Sequence, residues 1–529
     1  MNNTIHKIKD HIITIYLFIM LGFFPLYYKK HYVGMGDAKY KLFFYSSVIC
    51  FALLFLLLVV YGIVSFCKSK DFLCIKRPAL SSLDWLVLLY FLVVLVSFLF
   101  SDYKEEALMG AEGWNMGLFS QLFFLCTYFF ISRMQNLKKS VLYIFLFSTS
   151  IVFLLGILHR FSIDPLGMYP NLSSDQILQF LSTIGQSSWY SSFVCTVFPI
   201  GMFIFYQSDS RETRIASGIY TALAFMTIVT QNTDSAFLSL GGCMLLLFYI
   251  SFDRAVQLQR FFEVSLLALA SFKLMGIMQI IFKKAAVMPD TLSVFMSQGM
   301  ITTILLLVGV LLYIYFYHIR PVHKRKAFSQ PVSRKAFYIG IGILFAMLIL
   351  LILFVIGNSN GFLFEKFGIR SENNYLLFNN YWGNQRGFTW KFTIFSYEGL
   401  SFLQKLIGVG PDCFGFYNYS IPQYQEILSN YWGNLTLTNA HNEYLTMLFW
   451  YGAAGLISYL MMLAGAVRRF VKNRRLNPYT AAFALCITAY MCHNLFCYQQ
   501  VCCTPFLYIA LGAGEYTVRN LSVQNKIKK

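Results

Sequence analysis

The sequence predicts an all-α integral membrane protein with about 12–14 transmembrane helices. Three observations predict it. First, of 529 residues 57% are hydrophobic and only 12% are charged, and the mean hydropathy is +0.59. A water-soluble fold of this length cannot hide so much apolar surface, and disorder requires the opposite composition. Second, apolar runs long enough to cross a bilayer recur along the whole chain. Third, basic residues alternate from loop to loop, as the positive-inside bias requires.

The spans are expected to begin near His11, Leu42, Trp85, Met116, Val141, Tyr190, Ala216, Ser235, Phe261, Met300, Ala336, Glu443, Tyr479 and Thr504. Each is an apolar window with few charges. The ninth is the least regular, because Glu263 and Lys273 fall within it. The first run, His11–Tyr28, is too long for a cleavable signal and lacks a small-residue cleavage site, so it reads as a retained span.

The net charge is +19. In a soluble protein this would suggest nucleic acid. In a polytopic chain it reads as orientation, and no nucleic acid partner is expected. One set of loops holds Arg133, Lys138, Lys139, Arg211, Arg214, Arg254, Arg260, the Arg320–Lys335 cluster and Arg468–Arg475. With both termini this side carries 28 of the 42 Lys and Arg residues, against 13 opposite and Lys273 inside a span. Both termini are therefore expected on the cytoplasmic side. Lys29, Lys30, Lys39 and Lys41 dissent, falling on the outer side; a re-entrant first span would remove the conflict. The 12 cysteines lie mostly in apolar runs and have neither zinc-site nor disulfide spacing.

Most outer loops are short. His159–Trp189 is moderate, and Asn358–Asn442 is long, about 85 residues. An unstructured connection of that length is uncommon unless it is functional. It is rich in Asn, Tyr, Trp and Phe, and pieces such as Trp390–Leu406 suggest short helices lying at the membrane surface. The pentapeptide NYWGN occurs at Asn380–Asn384 and Asn430–Asn434. It reads first as an aromatic turn closed by glycine, second as a sugar-stacking platform. The expected organisation is a transmembrane bundle over 1–357, the loop with the candidate motifs over 358–442, and C-terminal helices over 443–529.

Chemistry needs polar groups that water can reach, so ionisable residues of outer loops and helix ends are the candidates. His441 comes first, in TNAHNEYL, where the long loop meets the next span. Thr438 or Asn439 is expected to cap that helix, placing His441 in its first turn, where the positive helix end keeps imidazole neutral. A histidine that only packs at the interface is the competing reading. Arg386, in GNQRGFTWKF, suits bidentate phosphate binding. Arg160, Arg370 and Lys391 are weaker cationic candidates. The glycine turn LIGVGPDCFGFY, with Gly408 and Gly410, lacks Walker spacing. Neither D-x-D nor H-E-x-x-H occurs, so no metal site is marked. Glu112, Gln186 and Asp234 sit in polar stretches at outer helix ends, where plain capping is the default.

The order of these motifs resembles the bacterial O-antigen ligase and O-antigen polymerase superfamily. The resemblance rests on Arg386-Gly387, Trp390, Gly408–Pro411, and Ala440-His441-Asn442 followed by Leu445, Gly452 and Gly455. EGWNMGLFSQL, STIGQSSWYSSFVCTVFPIG and NTDSAFLSLGG are similar to upstream segments of that family, so the likeness spans roughly Glu105 to Gly512. Departures are Asp234-Ser235 where many members carry Ser-Arg, and Gln186 and Ser188 where two Asn are usual.

The resemblance implies a GT-C-like glycosyltransferase of the bacterial cytoplasmic membrane, working on its outer face without metal or other cofactor. The donor would be an undecaprenyl-pyrophosphate-linked glycan, and the acceptor a hydroxyl of a glycan or glycolipid. His441 would be the general base and Arg386 the cation at the leaving pyrophosphate. Arg160, Arg370, Lys391, Trp390, Asn442, Gly408 and Gly410 would contact substrate. The alternative is a lipid-linked oligosaccharide flippase or other transporter, which usually shows internal repeats; none is evident in the spans. A peptidoglycan polymerase of the elongation type would share the topology but lacks the His-Asn signature.

Overall fold

The computed structural model describes residues 2–69, 79–170, 172–287, 289–319 and 334–527. The basic side inferred above also includes Lys68, Lys70, Lys76 and Arg77 in the loop after the second span; of its positions, Lys70, Lys76, Arg77 and those from Arg320 to Lys326 lie outside the described residues.

Among the described residues the chain is mostly helical. The first half holds α1 (Asn2–Phe18), α2 (Met35–Ser69), α3 (Ser82–Leu99), α4 (Lys104–Met109), α5 (Leu118–Ser132), α6 (Lys139–His159), α7 (Ser174–Gln179), α8 (Ser187–Gln207), α9 (Arg211–Thr230), α10 (Asp234–Ser251) and α11 (Ala255–Ile281). Then follow α12 (Thr291–Gln298), α13 (Met300–Ile314), α14 (Lys335–Ser359), α15 (Phe362–Phe367), α16 (Trp382–Glu398), α17 (Phe402–Ile407), α18 (Phe414–Ser420) and α19 (Pro422–Trp432). The last are α20 (Glu443–Asn473), α21 (Thr480–His493) and α22 (Thr504–Ile527). The strands described are the two-residue pieces β1 (Phe180–Leu181) and β2 (Gly185–Gln186), paired antiparallel.

Every expected span coincides with a helix. Among the described residues, ten candidate spans are long and apolar enough to cross a membrane: α2, α3, α6, α8, α9, α10, α11, α14, α20 and the Thr291–Tyr317 stretch that contains α13. α5 and α21 are apolar but shorter. The remaining two positions fall on α1, continued by a π-helical turn over Ile19–Phe23, and on α22. This is a multi-pass membrane protein. The clearest sign is α14, whose apolar window has no buried residue. In water such a surface would be untenable; in hydrocarbon it is the favoured exterior.

The core is a bundle in which α3 and α21 flank α20, α22 packs along α5, and α8 lies against α9 and α21. Residues almost completely buried here include Phe124, Phe153, Tyr190, Trp450 and Tyr459. At one end the helices close on ion pairs. Asp84 is bonded to Arg133 at 3.0 Å and to Arg519, and accepts from the Tyr128 hydroxyl at 2.8 Å. Glu515 pairs with Arg469 at 2.6 Å and Arg519 at 3.0 Å, and Asp253 with Arg334 and Arg474. A buried carboxylate is costly without such a cation or equivalent hydrogen-bond donors. This basic end holds the start of α1, where Asp10 accepts from the backbone of Gln135 and Asn136, and the C-terminal half of α22.

The 358–442 stretch folds into α15 to α19. The expected helix over Trp390–Leu406 is divided at Gly399, where α16 ends and Ser401 caps α17 with Gln404 completing a reciprocal capping box.

Candidate functional site

The site lies at the other end of the bundle, where α20 begins. The cap of α20 is Asn442, whose side chain accepts from the Leu445 N–H at 3.0 Å, and not Thr438 or Asn439. Asn439 instead accepts from the His441 N–H at 2.9 Å, a local turn that competes with helix. His441 therefore stands just outside the helix, at a φ of +48°. Such backbone in a non-glycine residue costs about 1–3 kcal/mol and persists where the surroundings fix it. The fixing bonds are Ala440 N–H to the Thr446 hydroxyl at 3.2 Å and Asn442 Nδ2 to the Leu495 carbonyl at 2.9 Å.

The part-buried ring of His441 meets Tyr498 edge to face, centroids 5.1 Å apart. Tyr498 in turn accepts from Trp189 Nε1 at 3.3 Å and packs on Trp114 at 4.9 Å. Burial, with the charge of Arg386 nearby, pushes the His441 imidazole down to about 3. The neutral ring is thus favoured by burial and a nearby cation, and not by a place in the first helical turn, where it was expected.

Arg386 reaches the same place from α16. Its helix starts with Gly383, Asn384 and Gln385, all left-handed, so the chain turns sharply just before it. The guanidinium donates to the Gly383 carbonyl at 2.7 Å and the Phe496 carbonyl at 2.9 Å, and lies 5.9 Å from the Phe496 ring centre. Its Nε is buried with no hydrogen-bond partner. Burial lowers its pKa, opposed by Cys497, Tyr498 and Asp234. Trp390 stacks on the Phe496 ring, centroids 5.6 Å apart, and meets Trp382 at 5.3 Å.

Thus Arg386, Trp390, His441 and Asn442 converge on the Leu495–Tyr498 segment between α21 and α22. Sequence reasoning missed that segment, and nothing in FCYQQ marks it. It also missed Glu443, whose carboxylate accepts from Tyr459, from Tyr490 at 2.9 Å and from the Asn494 amide. The Glu443 N–H bonds the Asn494 carbonyl at 3.0 Å. His493 is the next link. Its Nδ1 lies 3.0 Å from Asn494 Oδ1, and its Nε2 lies 2.8 Å from Ser191 and 3.1 Å from Ser235. Since the Asn494 amide nitrogen faces Glu443, its oxygen accepts, so the network assigns the proton to Nδ1 and Nε2 accepts from a serine. An ionisable residue at the start of an apolar span was the available signal for Glu443. This network ties the Ser191 and Ser235 segments to α20.

The other expected contacts go elsewhere. Gly408 and Gly410 are pressed against α20, not gathered around His441. α20 breaks its helix at Gly452, φ +66°. The carbonyls freed there are taken up by Val409 N–H on Phe449 at 3.2 Å, by Gly410 N–H on Trp450 at 3.0 Å, and by the Ser97 hydroxyl on Trp450 at 2.7 Å. A Cβ on Gly408 would stand 2.0 Å from the Trp450 carbonyl oxygen. Beside it Asp412 accepts from the Ala111 and Met116 N–H groups at 2.8 and 2.9 Å, which explains why EGWNMG and the glycine turn belong together. Arg160 is buried and spends its donors on the carbonyls of Thr230, Leu178 and Gln231. Arg370 is exposed beside Glu372 at 3.8 Å. Lys391 is exposed, bonded to Asn380 at 3.3 Å and 5.2 Å from the Phe378 ring. The two NYWGN copies touch: Tyr431 donates to the Asn380 carbonyl at 3.2 Å and stacks on Phe388. Among the described residues no group of three or more His, Cys, Asp or Glu is arranged to hold a metal.

Comparison with known proteins assigns no family: no protein-family model matches the chain, and no curated protein matches it.

Proposed function

We propose that this chain is a membrane glycosyltransferase of the O-antigen ligase and polymerase kind. It moves a glycan from undecaprenyl pyrophosphate to an acceptor hydroxyl on the outer face of a bacterial cytoplasmic membrane. The observation that carries this reading is the convergence of the His441 imidazole, which burial favours neutral, and the part-buried Arg386 guanidinium, whose buried Nε has no hydrogen-bond partner, on one short segment of chain. Arg386 comes from α16 and His441 from the turn before α20, and they share one aromatic wall of Phe496 and Tyr498.

The chemistry divides between them. The acceptor hydroxyl gives its proton to His441 as its oxygen bonds to the anomeric carbon. The bond from that carbon to the pyrophosphate oxygen breaks, and the electron pair leaves with the pyrophosphate. Arg386 stabilises the charge gathering there. Attack opposite the leaving group inverts the anomeric carbon. An imidazole held near 3 is a weak base in the empty site. The dianionic pyrophosphate offsets the charge of Arg386 and raises the proton affinity of His441 when it is needed. Trp390, stacked on the same Phe496 ring that Arg386 approaches, is the aromatic assigned to a sugar ring, and Asn442 holds the turn that presents His441.

Reconstitution with a polyprenyl-pyrophosphate-linked glycan tests the reading. Transfer should be lost in His441→Ala and in Arg386→Ala and should survive EDTA. Full transfer in both variants overturns it, as does movement of the lipid-linked sugar across the vesicle with no glycosidic bond made.

A further inference from the structure

The dissenting lysines between α1 and α2 are not scattered. Lys39 is fully buried, donating to the carbonyls of Phe24 at 2.8 Å and Pro25 at 3.3 Å, and so closes the π-helical end of α1. The other three line a groove of about 680 Å³ between the end of α1 and the start of α2. Its rim carries Lys29, Lys30 and Lys41 against one carboxylate, Asp37. Lys41 is paired with Asp37 at 2.7 Å. Lys29 and Lys30 are exposed and make no ion pair among the described residues. Lys30 and His31 are both left-handed, at φ +55° and +54°, and make the turn that sets the lysine pair beside α2.

Below this rim the groove is apolar. Phe23, Tyr45 and Ile49 form its wall and are 54%, 60% and 61% exposed, so it opens sideways from the bundle. A cationic rim over a laterally open apolar wall is complementary to an anionic amphiphile lying in the bilayer. The groove is at the site end of the molecule: a Cβ on Gly36 would lie 3.3 Å from the ring of Trp189, which bonds Tyr498. It contains neither Arg386 nor His441.

We propose that this groove holds an anionic phospholipid, its headgroup phosphate at Lys29 and Lys30 and one hydrocarbon chain along Phe23, Tyr45 and Ile49. The phospholipid is favoured over the polyprenyl donor because the groove faces the bulk bilayer and stands apart from the reacting groups. A local excess of lysine on the expected outer side then reflects a bound anion, not a break in orientation.

Native mass spectrometry of the full chain, released from nanodiscs of equal phosphatidylglycerol and phosphatidylethanolamine, tests this. The wild type should retain one more phosphatidylglycerol than Lys29→Gln/Lys30→Gln, whose binding should be about 30-fold weaker, the scale of two lysines at an anionic surface. Ile49→Trp, which fills the apolar wall with both lysines intact, should lose the same lipid. The substituted side chains are exposed, and the readout does not depend on glycan transfer. Equal retention in the double variant, equal retention of the zwitterionic lipid by the wild type, or selective displacement of the lipid by undecaprenyl phosphate overturns the proposal.

Discussion

At the residue scale the central pair is Arg386 and His441. Loss of a positioned general base costs about 100- to 10,000-fold in rate, so His441→Ala should fall by that amount in a transfer assay with the chain still folded. Removing a charge-stabilising donor costs about 100- to 1,000-fold, the fall expected for Arg386→Lys, which keeps the charge but not the fork. The imidazole is held at about 3 instead of 6.5, so the free protein keeps this proposed base unprotonated in mild acid. The kcat/KM for donor, followed from pH 5 to 8, should show no acid limb near 6.5 that His441→Ala removes. Asp412 gives a stability prediction. Burial raises its carboxyl from 3.8 to about 7, against the opposing pull of two backbone N–H groups. The folded chain therefore holds this proton more tightly than the unfolded chain, and stability falls as pH rises from about 4 to 7. Asp412→Asn keeps the acceptor oxygen and should flatten that part of the melting-temperature profile in detergent.

At the element scale the main device is the break in α20. A helix interrupted inside a membrane must place its freed carbonyls on new donors, and the Gly408–Gly410 turn supplies them. Gly408→Ala should cost about 2–5 kcal/mol, the sum of a left-handed alanine and a steric collision, read as a large drop in melting temperature. Its rate per folded molecule should suffer less than that of His441→Ala. The element was legible in part. Gly408, Gly410 and Gly452 are plain in the sequence, and so is a helix starting near Glu443. That the glycines serve each other was not legible, because their contact joins residues far apart in the chain. The cap shows a finer limit. Asn439 and Asn442 are equally good caps by type, and only the bond from Leu445 distinguishes them. Arg160 shows the converse: its charge suggested phosphate, but its three carbonyl partners come from two other segments of the chain.

At the scale of the whole molecule, both chain ends approach the basic end, and the site lies opposite. A fluorescent reporter fused after Lys529 should therefore glow inside the cell, whereas alkaline phosphatase fused there should stay inactive; the reverse result would invert the proposed orientation. The sequence by itself determined that this is a helical membrane protein and where its helices run, because hydropathy and charge act locally and one window of chain contains the whole signal. It also singled out Arg386 and His441 as residue types able to do the proposed chemistry. Only the tertiary structure decided that these two share the Phe496–Tyr498 wall, that Glu443 and His493 brace it, and that Lys29 and Lys30 rim a groove. Those relations are distances between segments remote in sequence, fixed by packing that no single window of the chain encodes.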